Sequence, residues 1–342
     1  MARQLLVLLG RLGHHVIVVS ELRSWLKNPD QLPALALLAE NELARIQPDL
    51  EAFAPDLWFT YHVYYKAPDL LGPASARRLG IPYVVAEASH APKRLDGPWA
   101  QAENLSMVAL RAARALLTFT SRDADGLAML DGISGEITPF PPFLTSVDLR
   151  DPSPRLAGSH VTLICVAMMR DSNKMESYQQ LARALGVLDR QDWQLRIVGD
   201  GPARAKVEAA FAAFREGQVC FVGVCNAAEI RAELEQADIF AWPGYLEAYG
   251  MVYLEAQERG LPVVAMDSGG VTSVVRHGET GILTAEADYD AFASALQRLI
   301  GDSTLRKKLG LQARARVLAS HGPDAAAQRL QLALERAMKG EP

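Results

Sequence analysis

Three cysteines in 342 residues, Cys165, Cys220 and Cys225, are too few and too odd in number for a disulfide framework. Their spacing does not match a zinc ribbon. Each lies in or beside an apolar run and reads as a buried, reduced thiol in a strand, which favours a reducing compartment. The chain also lacks an excess of positive charge: 35 Lys and Arg against 40 Asp and Glu leave a net charge of −5. Nothing general therefore points to nucleic acid, although a local basic patch stays open. No apolar run approaches the roughly 20 residues needed to cross a bilayer. The opening Met1-Ala-Arg3-Gln-Leu-Leu-Val-Leu-Leu9 is cut short by Arg11, and no small-residue cleavage site follows. It reads as a helix of a cytoplasmic protein, with peripheral contact at the inner face of a membrane left open. There is no short repeat and no low-complexity tract. Nor does a Gly-x-Gly-x-x-Gly loop follow an early strand, which argues against a dinucleotide-dependent oxidoreductase.

Hydrophobic residues make up 49% and charged residues 22% of the chain, the balance of a soluble globular protein long enough for two domains. Short apolar runs alternate with helix-like stretches throughout, the pattern of a parallel α/β architecture. In the first half, residues 16–20, 57–60, 83–86 and 116–119 read as strands, and 34–46 and 104–115 as helices. Pro139, Pro141 and Pro142 break the alternation, and the breaker-rich stretch 150–160 reads as a linker. Strands resume at 161–168, 195–198, 219–222, 239–241 and 263–265. The expected organisation is a domain over 1–149, a linker over 150–160, a second domain over 161–322, and a terminal helix over 323–342 free to pack back on the first domain. Two Rossmann-like halves around a hinge place a ligand between them, at the carboxyl ends of their strands.

The second half carries four pieces that fit one site. Arg170 and Lys174 follow the strand ending at Met168-Met169. They are either solvated surface cations or charges that neutralise a diphosphate leaving group. Gly199 and Gly201, in Val198-Gly-Asp-Gly-Pro202, either make a tight turn or let a ligand approach the backbone. Gly223, after the next strand, offers the same to a flat base. The third piece holds Glu247 and Glu255. With residues 248–259 as one helix, the two acids lie about 12 Å apart along its axis and roughly 80° around it, so one elongated ligand touches both. A nucleotide diphosphate sugar has that length. Gly250 leaves room for phosphate oxygens against the backbone N–H groups of Tyr249, Gly250, Met251 and Val252. Glu255 is then either an exposed helix acid or the acceptor for both ribose hydroxyls. Gly260 reads as the helix C-cap, with Pro262 beyond. The fourth piece, Gly269-Gly270, approaches the sugar from a second side.

From residue 161 to the C-terminus these motifs resemble the donor-binding domain of family-4 retaining glycosyltransferases, which have the GT-B fold of two Rossmann-like domains facing each other across a cleft. The resemblance rests on Arg170 and Lys174, Val198-Gly-Asp-Gly-Pro202, the Glu247/Glu255 pair, Gly260-Leu-Pro-Val-Val264 and His277-Gly-Glu-Thr-Gly281-Ile-Leu283. Pro55-Asp-Leu-Trp-Phe-Thr-Tyr-His62 and Ile81-Pro-Tyr-Val-Val-Ala-Glu-Ala-Ser-His90 extend it more loosely into the first half. It implies that Glu247 binds the donor sugar, Glu255 the ribose, and Arg170 with Lys174 the diphosphate. His90 would stand across the cleft near the reacting sugar. It further implies transfer with retained anomeric configuration, no metal and no cofactor beyond the nucleotide sugar. The acceptor would be a glycan, a lipid-linked glycan or a small molecule, in surface-glycan assembly. Without the resemblance His90 and His62 read as structural, and Arg77, Arg78, Lys93 and Arg94 as a solvated basic face or a contact for an acidic acceptor or an anionic membrane.

Two departures stand out. The family begins with a strand and a glycine-rich loop, whereas residues 1–12 already read as the first helix and 14–20 as the second strand. The expectation is a first domain without its first strand, and with it the alternative of a sugar-nucleotide-binding protein with weak or no transfer. Ser273 also stands where the family commonly carries a glutamate.

Overall fold

In the computed structural model, residues 1–150 and 160–340 are described. The linker read over 150–160 falls, but for its two end residues, outside them. The chain divides into two compact units, Met1–Pro141 with Asp324–Pro342, and Pro142–Pro323.

The first unit is built on four parallel strands in the order β1-β2-β3-β4: β1 (Trp58–Val63), β2 (Tyr83–Ala88), β3 (Ala115–Thr118) and β4 (Glu136–Pro139). Tyr83, Val84, Val85 and Ala86 of β2 are each at most 2% exposed. That unbroken apolar run is what a parallel strand covered on both faces requires. The helices are α1 (Ala2–Arg11), α2 (Leu32–Phe53), α3 (Gly72–Leu79), α4 (Ala100–Ala112) and α5 (Ser121–Ala128). α2 runs through Pro48 well past the expected end at residue 46.

Residues 16–20 are not a strand, contrary to the sequence reading. Val16, Ile17 and Val18 are 39%, 39% and 66% exposed, and the sheet ends at β1. A cavity of about 680 Å³ is lined by both 14–20 and the residues of β1 from Trp58 to His62. An apolar run becomes a strand only by pairing, and among the described residues this run pairs with no strand.

The second unit has six parallel strands: β5 (Val161–Val166), β6 (Trp193–Val198), β7 (Val219–Gly223), β8 (Ile239–Ala241), β9 (Val263–Met266) and β10 (Gly281–Thr284). Their order is β10-β9-β8-β5-β6-β7. Starting at β5, the chain runs outward through β6 and β7, then returns to lay β8 on the other side of β5. Such a reversal opens a crevice at the carboxyl ends of the two central strands, where doubly wound sheets bind ligands. The helices are α6 (Asn173–Gly186), α7 (Arg204–Ala210), α8 (Ala227–Gln236), α9 (Met251–Glu258), α10 (Tyr289–Gly301) and α11 (Ser303–Arg316). One apolar core spans the unit, from Leu144 to Val317. Of the three thiols only Cys165 is buried. Cys220 is exposed because β7 is the sheet's edge strand.

The last helix, α12 (Pro323–Lys339), belongs from Asp324 onward to the first unit. Arg336 pairs with Glu136 of β4 at 2.5 Å, Arg11 of α1 with Asp324, and Arg114 donates to the Ala337 carbonyl at 3.3 Å.

Amide hydrogen exchange separates the paired and unpaired runs. Residues 16–20 are expected to exchange at nearly the rate of free peptide, and 83–86 only on global opening. Comparable protection of both runs would contradict this sheet boundary.

Candidate functional site

The loops leaving β5 and β6 interlock through backbone alone. Met169 N–H donates to Asp200 O and Ala203 N–H to Met169 O, both at 2.9 Å. A Cβ on Gly199 would stand 2.1 Å from Ala167 O, and one on Gly201 2.3 Å from Met169 O. The two glycines are thus required by loop-on-loop contact. Asp200 accepts from Gly201 N–H and pairs with Arg204, which together hold its carboxyl below the usual range. Gly223 differs: its φ is +90° and the space a side chain would enter is open.

Past β5, Ser172 caps α6 and Lys174 lies in the helix's first turn. Its ammonium pairs with the Glu247 carboxylate and stands 5.6 Å from the Trp242 ring centroid. The two side chains are 26% and 17% exposed, enough shielding for the pair to matter and enough opening for a ligand to reach it. Arg170 is exposed and has no ion-pair partner among the described residues. The structure therefore brings Lys174 and Glu247 together and leaves Arg170 free.

Glu247 belongs to a loop rather than to a helix. Gly244, Leu246 and Gly250 all take left-handed φ, at +72°, +48° and +64°. α9 starts at Met251, three residues later than the sequence suggested, because left-handed Gly250 cannot continue a right-handed helix. The axial distance and angle expected from one continuous helix do not apply. Three hydrogen bonds pin the loop: Tyr245 N–H to Ser177 Oγ at 3.0 Å, Leu246 N–H to Ser268 Oγ at 2.8 Å, and Gly270 N–H to Glu247 O at 3.0 Å. Gly269 (φ +61°) sits so close that a Cβ would lie 2.0 Å from the Glu247 carbonyl oxygen. Gly269 and Gly270 thus act on Glu247 itself. Ser177, Ser268 and Trp242 complete the support, and no local motif signals them.

The two ends of α9 are unlike. At the carboxyl end, buried Arg314 donates to Glu258 O at 2.6 Å, neutralising the negative end of the helix. At the amino end no side chain caps the N–H groups that follow Gly250. Met251 and Val252 turn their side chains against the core, leaving only backbone to that end. Glu255, one turn in, is half-buried with no hydrogen-bond partner among the described residues. Burial, and secondarily the charge of Glu258, raises its carboxyl above the ordinary range. The His277-to-Leu283 motif is a turn into β10: His277 Nδ1 lies 2.9 Å from Leu283 O and 3.1 Å from its N.

In the first unit, His90 follows β2 with its Nδ1 2.5 Å from the buried Glu103 carboxylate. His62 and Glu87 end neighbouring strands in left-handed conformation, φ +66° and +54°, with Nε2 and Oε1 4.0 Å apart. Arg94 lies against the Tyr65 ring at 4.8 Å and Arg78 stands 3.8 Å from Glu51.

Residues 160–316 match the family model described as glycosyl transferases group 1. The whole has the mixed α/β, parallel-sheet fold of GT-B glycosyltransferases. It superposes on Anabaena Alr3699/HepE, solved in complex with UDP, with a TM-score of 0.67 and 16% identity over 86% of this chain and 82% of that one. In sequence it is similar to the D-inositol 3-phosphate glycosyltransferase of Nocardia farcinica, 43% identical over 77 residues, which are 22% of this chain and 17% of that protein. It is also similar to the sulfoquinovosyl transferase SQD2 of Arabidopsis thaliana, 23% identical over 79% of this chain and 54% of that protein. The chain thus spans about half or less of the length of these curated relatives.

The glycine contacts predict a graded mutational response. Gly269→Ala, clashing with Glu247 O, is expected to lower unfolding free energy by about 2–4 kcal/mol, and Gly223→Ala, strained only in φ, by about 1. Urea unfolding of both measures it, and equal losses would remove Gly269 from the support of Glu247.

Proposed function

We propose that the protein is a retaining glycosyltransferase that moves a sugar from a nucleotide diphosphate sugar to a hydroxyl of an acceptor glycan, lipid-linked glycan or small molecule. The observation that carries the reading is the Lys174–Glu247 pair at the β5/β8 reversal, beside an uncapped helix N-terminus. The relatives' names support glycosyl transfer, and the UDP in a structural neighbour supports a nucleotide donor.

In this reading the diphosphate lies against the N–H groups of Tyr249 to Val252, with Arg170 at its side. Lys174, with three donors, holds Glu247 and a phosphate oxygen together. Glu247 accepts from the donor sugar hydroxyls, and Glu255 from both ribose hydroxyls. As the bond from the anomeric carbon to the phosphate oxygen breaks, its electron pair passes to the diphosphate, where these positive groups stabilise it. The acceptor oxygen bonds to the same face of the anomeric carbon, and its proton passes to a donor phosphate oxygen. His90 contacts the reacting sugar. These positive groups meet the growing charge without a metal ion. The work belongs to glycan assembly at or near the inner face of a membrane. Among the described residues no helix is long and apolar enough to cross one.

A second reading, donor binding with weak or no transfer, is favoured by the cavity beside β1, where the first unit's sheet stops short.

Calorimetric titration with UDP, GDP and ADP, without added metal, tests the common part of both readings. One nucleotide should bind saturably, and Glu255→Ala should weaken it about 10- to 100-fold, the worth of hydrogen bonds to a charged acceptor. No binding to the folded chain would sink both. With a donor in hand, Glu247→Ala should cut turnover by roughly 10³-fold or more. Wild-type turnover in that variant would remove Glu247 from the chemistry.

The raised Glu255 carboxyl adds a pH dependence. Its folded-state value exceeds the unfolded one, so its contribution to stability is complete below the unfolded value, about 4.3, and lost as pH rises through the folded value. Glu255→Gln should therefore stabilise the free protein at neutral pH and not below pH 4. Ribose hydroxyls donating to the carboxylate favour its ionised form, so nucleotide binding should release protons. Calorimetry in buffers of different ionisation enthalpy reads the release. Its absence, or its persistence in Glu255→Gln, would separate Glu255 from the ribose.

A further inference from the structure

Glu103 is a carboxylate of zero exposure, set in the first turn of α4 among Ala102, Ser106, Met107 and Leu110, none more than 7% exposed. An acid in such a layer is costly unless it is paired and hydrogen-bonded, and an apolar residue of similar volume fills the same space more cheaply. Two donors and the positive end of α4 offset that cost. Ala91 N–H donates to Glu103 Oε1 at 3.0 Å, and His90 Nδ1 lies 2.5 Å from the same oxygen. With Ala91 N–H also donating to Oε1, we assign the proton on the line to His90 to the imidazole. Nδ1 is therefore the donor. Nε2 makes no hydrogen bond among the described residues and keeps its lone pair while the ring is neutral.

The rest of His90 is held as closely. Its carbonyl oxygen lies 2.7 Å from where a Cβ on Gly126 of α5 would stand, so only glycine fits there. Its side chain is 2% exposed, which leaves the ring no second orientation to swing into. Glu103 Oε2 has no hydrogen-bond partner among the described residues. Both bonds converge on the one oxygen that fixes the ring and its approach from β2.

We infer that Glu103 is the positioning residue for His90: it locks the Nδ1–H tautomer and aims Nε2 as a hydrogen-bond acceptor toward a substrate hydroxyl. This rests on the proposed contact between His90 and the reacting sugar. It adds a chemical direction to that contact, since the ring accepts a hydrogen bond from the sugar instead of donating one.

The test has two arms. In the first, long-range ¹H–¹⁵N NMR of uniformly labelled full-length protein, with His90 assigned through His90→Gln, reads the tautomer without any substrate. Wild type and Glu103→Gln, which retains an acceptor oxygen, should show Nδ1–H alone. Glu103→Leu should convert His90 mostly to the Nε2–H form, with its melting temperature within a few degrees of wild type. Persistence of Nδ1–H in Glu103→Leu would overturn the inference. If that variant does not fold, a mixture of tautomers in wild type or in folded Glu103→Gln would overturn it equally. In the second arm, release of nucleoside diphosphate from UDP-glucose, GDP-mannose and ADP-glucose is followed. Glu103→Leu should lose at least 100-fold in kcat with nucleotide Kd unchanged, and Glu103→Gln should recover to within tenfold of wild type. Unchanged kcat in Glu103→Leu would reduce Glu103 to a packing role. Unchanged kcat in His90→Gln would instead refute the contact of His90 with the sugar, and the tautomer arm would still decide what Glu103 does to the ring.

Discussion

The carbonyl oxygen of Glu247 accepts the Gly270 amide and occupies the space where any side chain on Gly269 would have to be. Most of the second unit's site depends on that contact. It holds the peptide of Glu247 outside α9, in a loop whose left-handed residues would otherwise have many alternatives to choose from. With the backbone fixed, the carboxylate reaches back to Lys174 on α6, and loops from the ends of β5, β8 and β9 meet at one point. The sheet order makes the meeting possible: β5 and β8 are neighbours only because the chain reverses after β7. A short side chain on Gly269 would therefore be felt at the ion pair, without touching it.

α9 is the other fixed point, and its ends are treated differently. Helix dipoles are commonly balanced at both ends by charges or caps. Here the carbonyl end meets the buried guanidinium of Arg314, which also donates to the Asp148 and Arg150 carbonyls and so ties the entering chain to the helix. The amino end has no cap. One turn further in, Glu255 is partly desolvated and unpaired, at a stability penalty that grows as it ionises. An uncapped positive end and an uncompensated acid on the same short helix are both unfavourable for folding alone. A ligand carrying an anion and a pair of hydroxyls relieves both at once, which is why the nucleotide reading rests on energetics as well as on motif.

Much of this was legible in the sequence, for identifiable reasons. Strands covered on both faces, such as β2, β5 and β9, are unbroken apolar runs, and they were found where expected. Residues 16–20 look the same in composition and are not a strand, because pairing is a property of the neighbour and not of the run. β4, half exposed and ending in Pro139, and β10, inside the His277 turn motif, lacked such a run and went unread. The glycines themselves did not say what they approach: Gly199 and Gly201 meet backbone of their own unit, Gly269 meets Glu247, and Gly223 meets nothing. The helix containing Glu255 was anticipated, but Gly250 was read as room for phosphate when it is also the residue that delays the start of the helix to Met251. Glu103, Ser177 and Ser268 could not be seen, since each acts on a partner 13 to 68 positions away.

The division of labour between the two units follows from where the pieces lie. Every residue proposed to hold the donor belongs to the second unit, which has its own continuous core and a complete doubly wound sheet. His90 and its buried partner belong to the first, whose sheet has four strands and a cavity beside β1. Binding and transfer can therefore fail separately. In the proposed reading, nucleotide affinity rests on the β5/β8 crevice and the end of α9, and turnover also on the imidazole of His90. The clamp on His90 joins α4, which packs on β1 and β2, to α5, which packs on β2, β3 and β4. The helix that carries Glu103 therefore rests on the strand beside the cavity, and a disturbance at that edge reaches the support of the ring as well as the loops beyond the strands, while the donor residues of the second unit stand on a separate core.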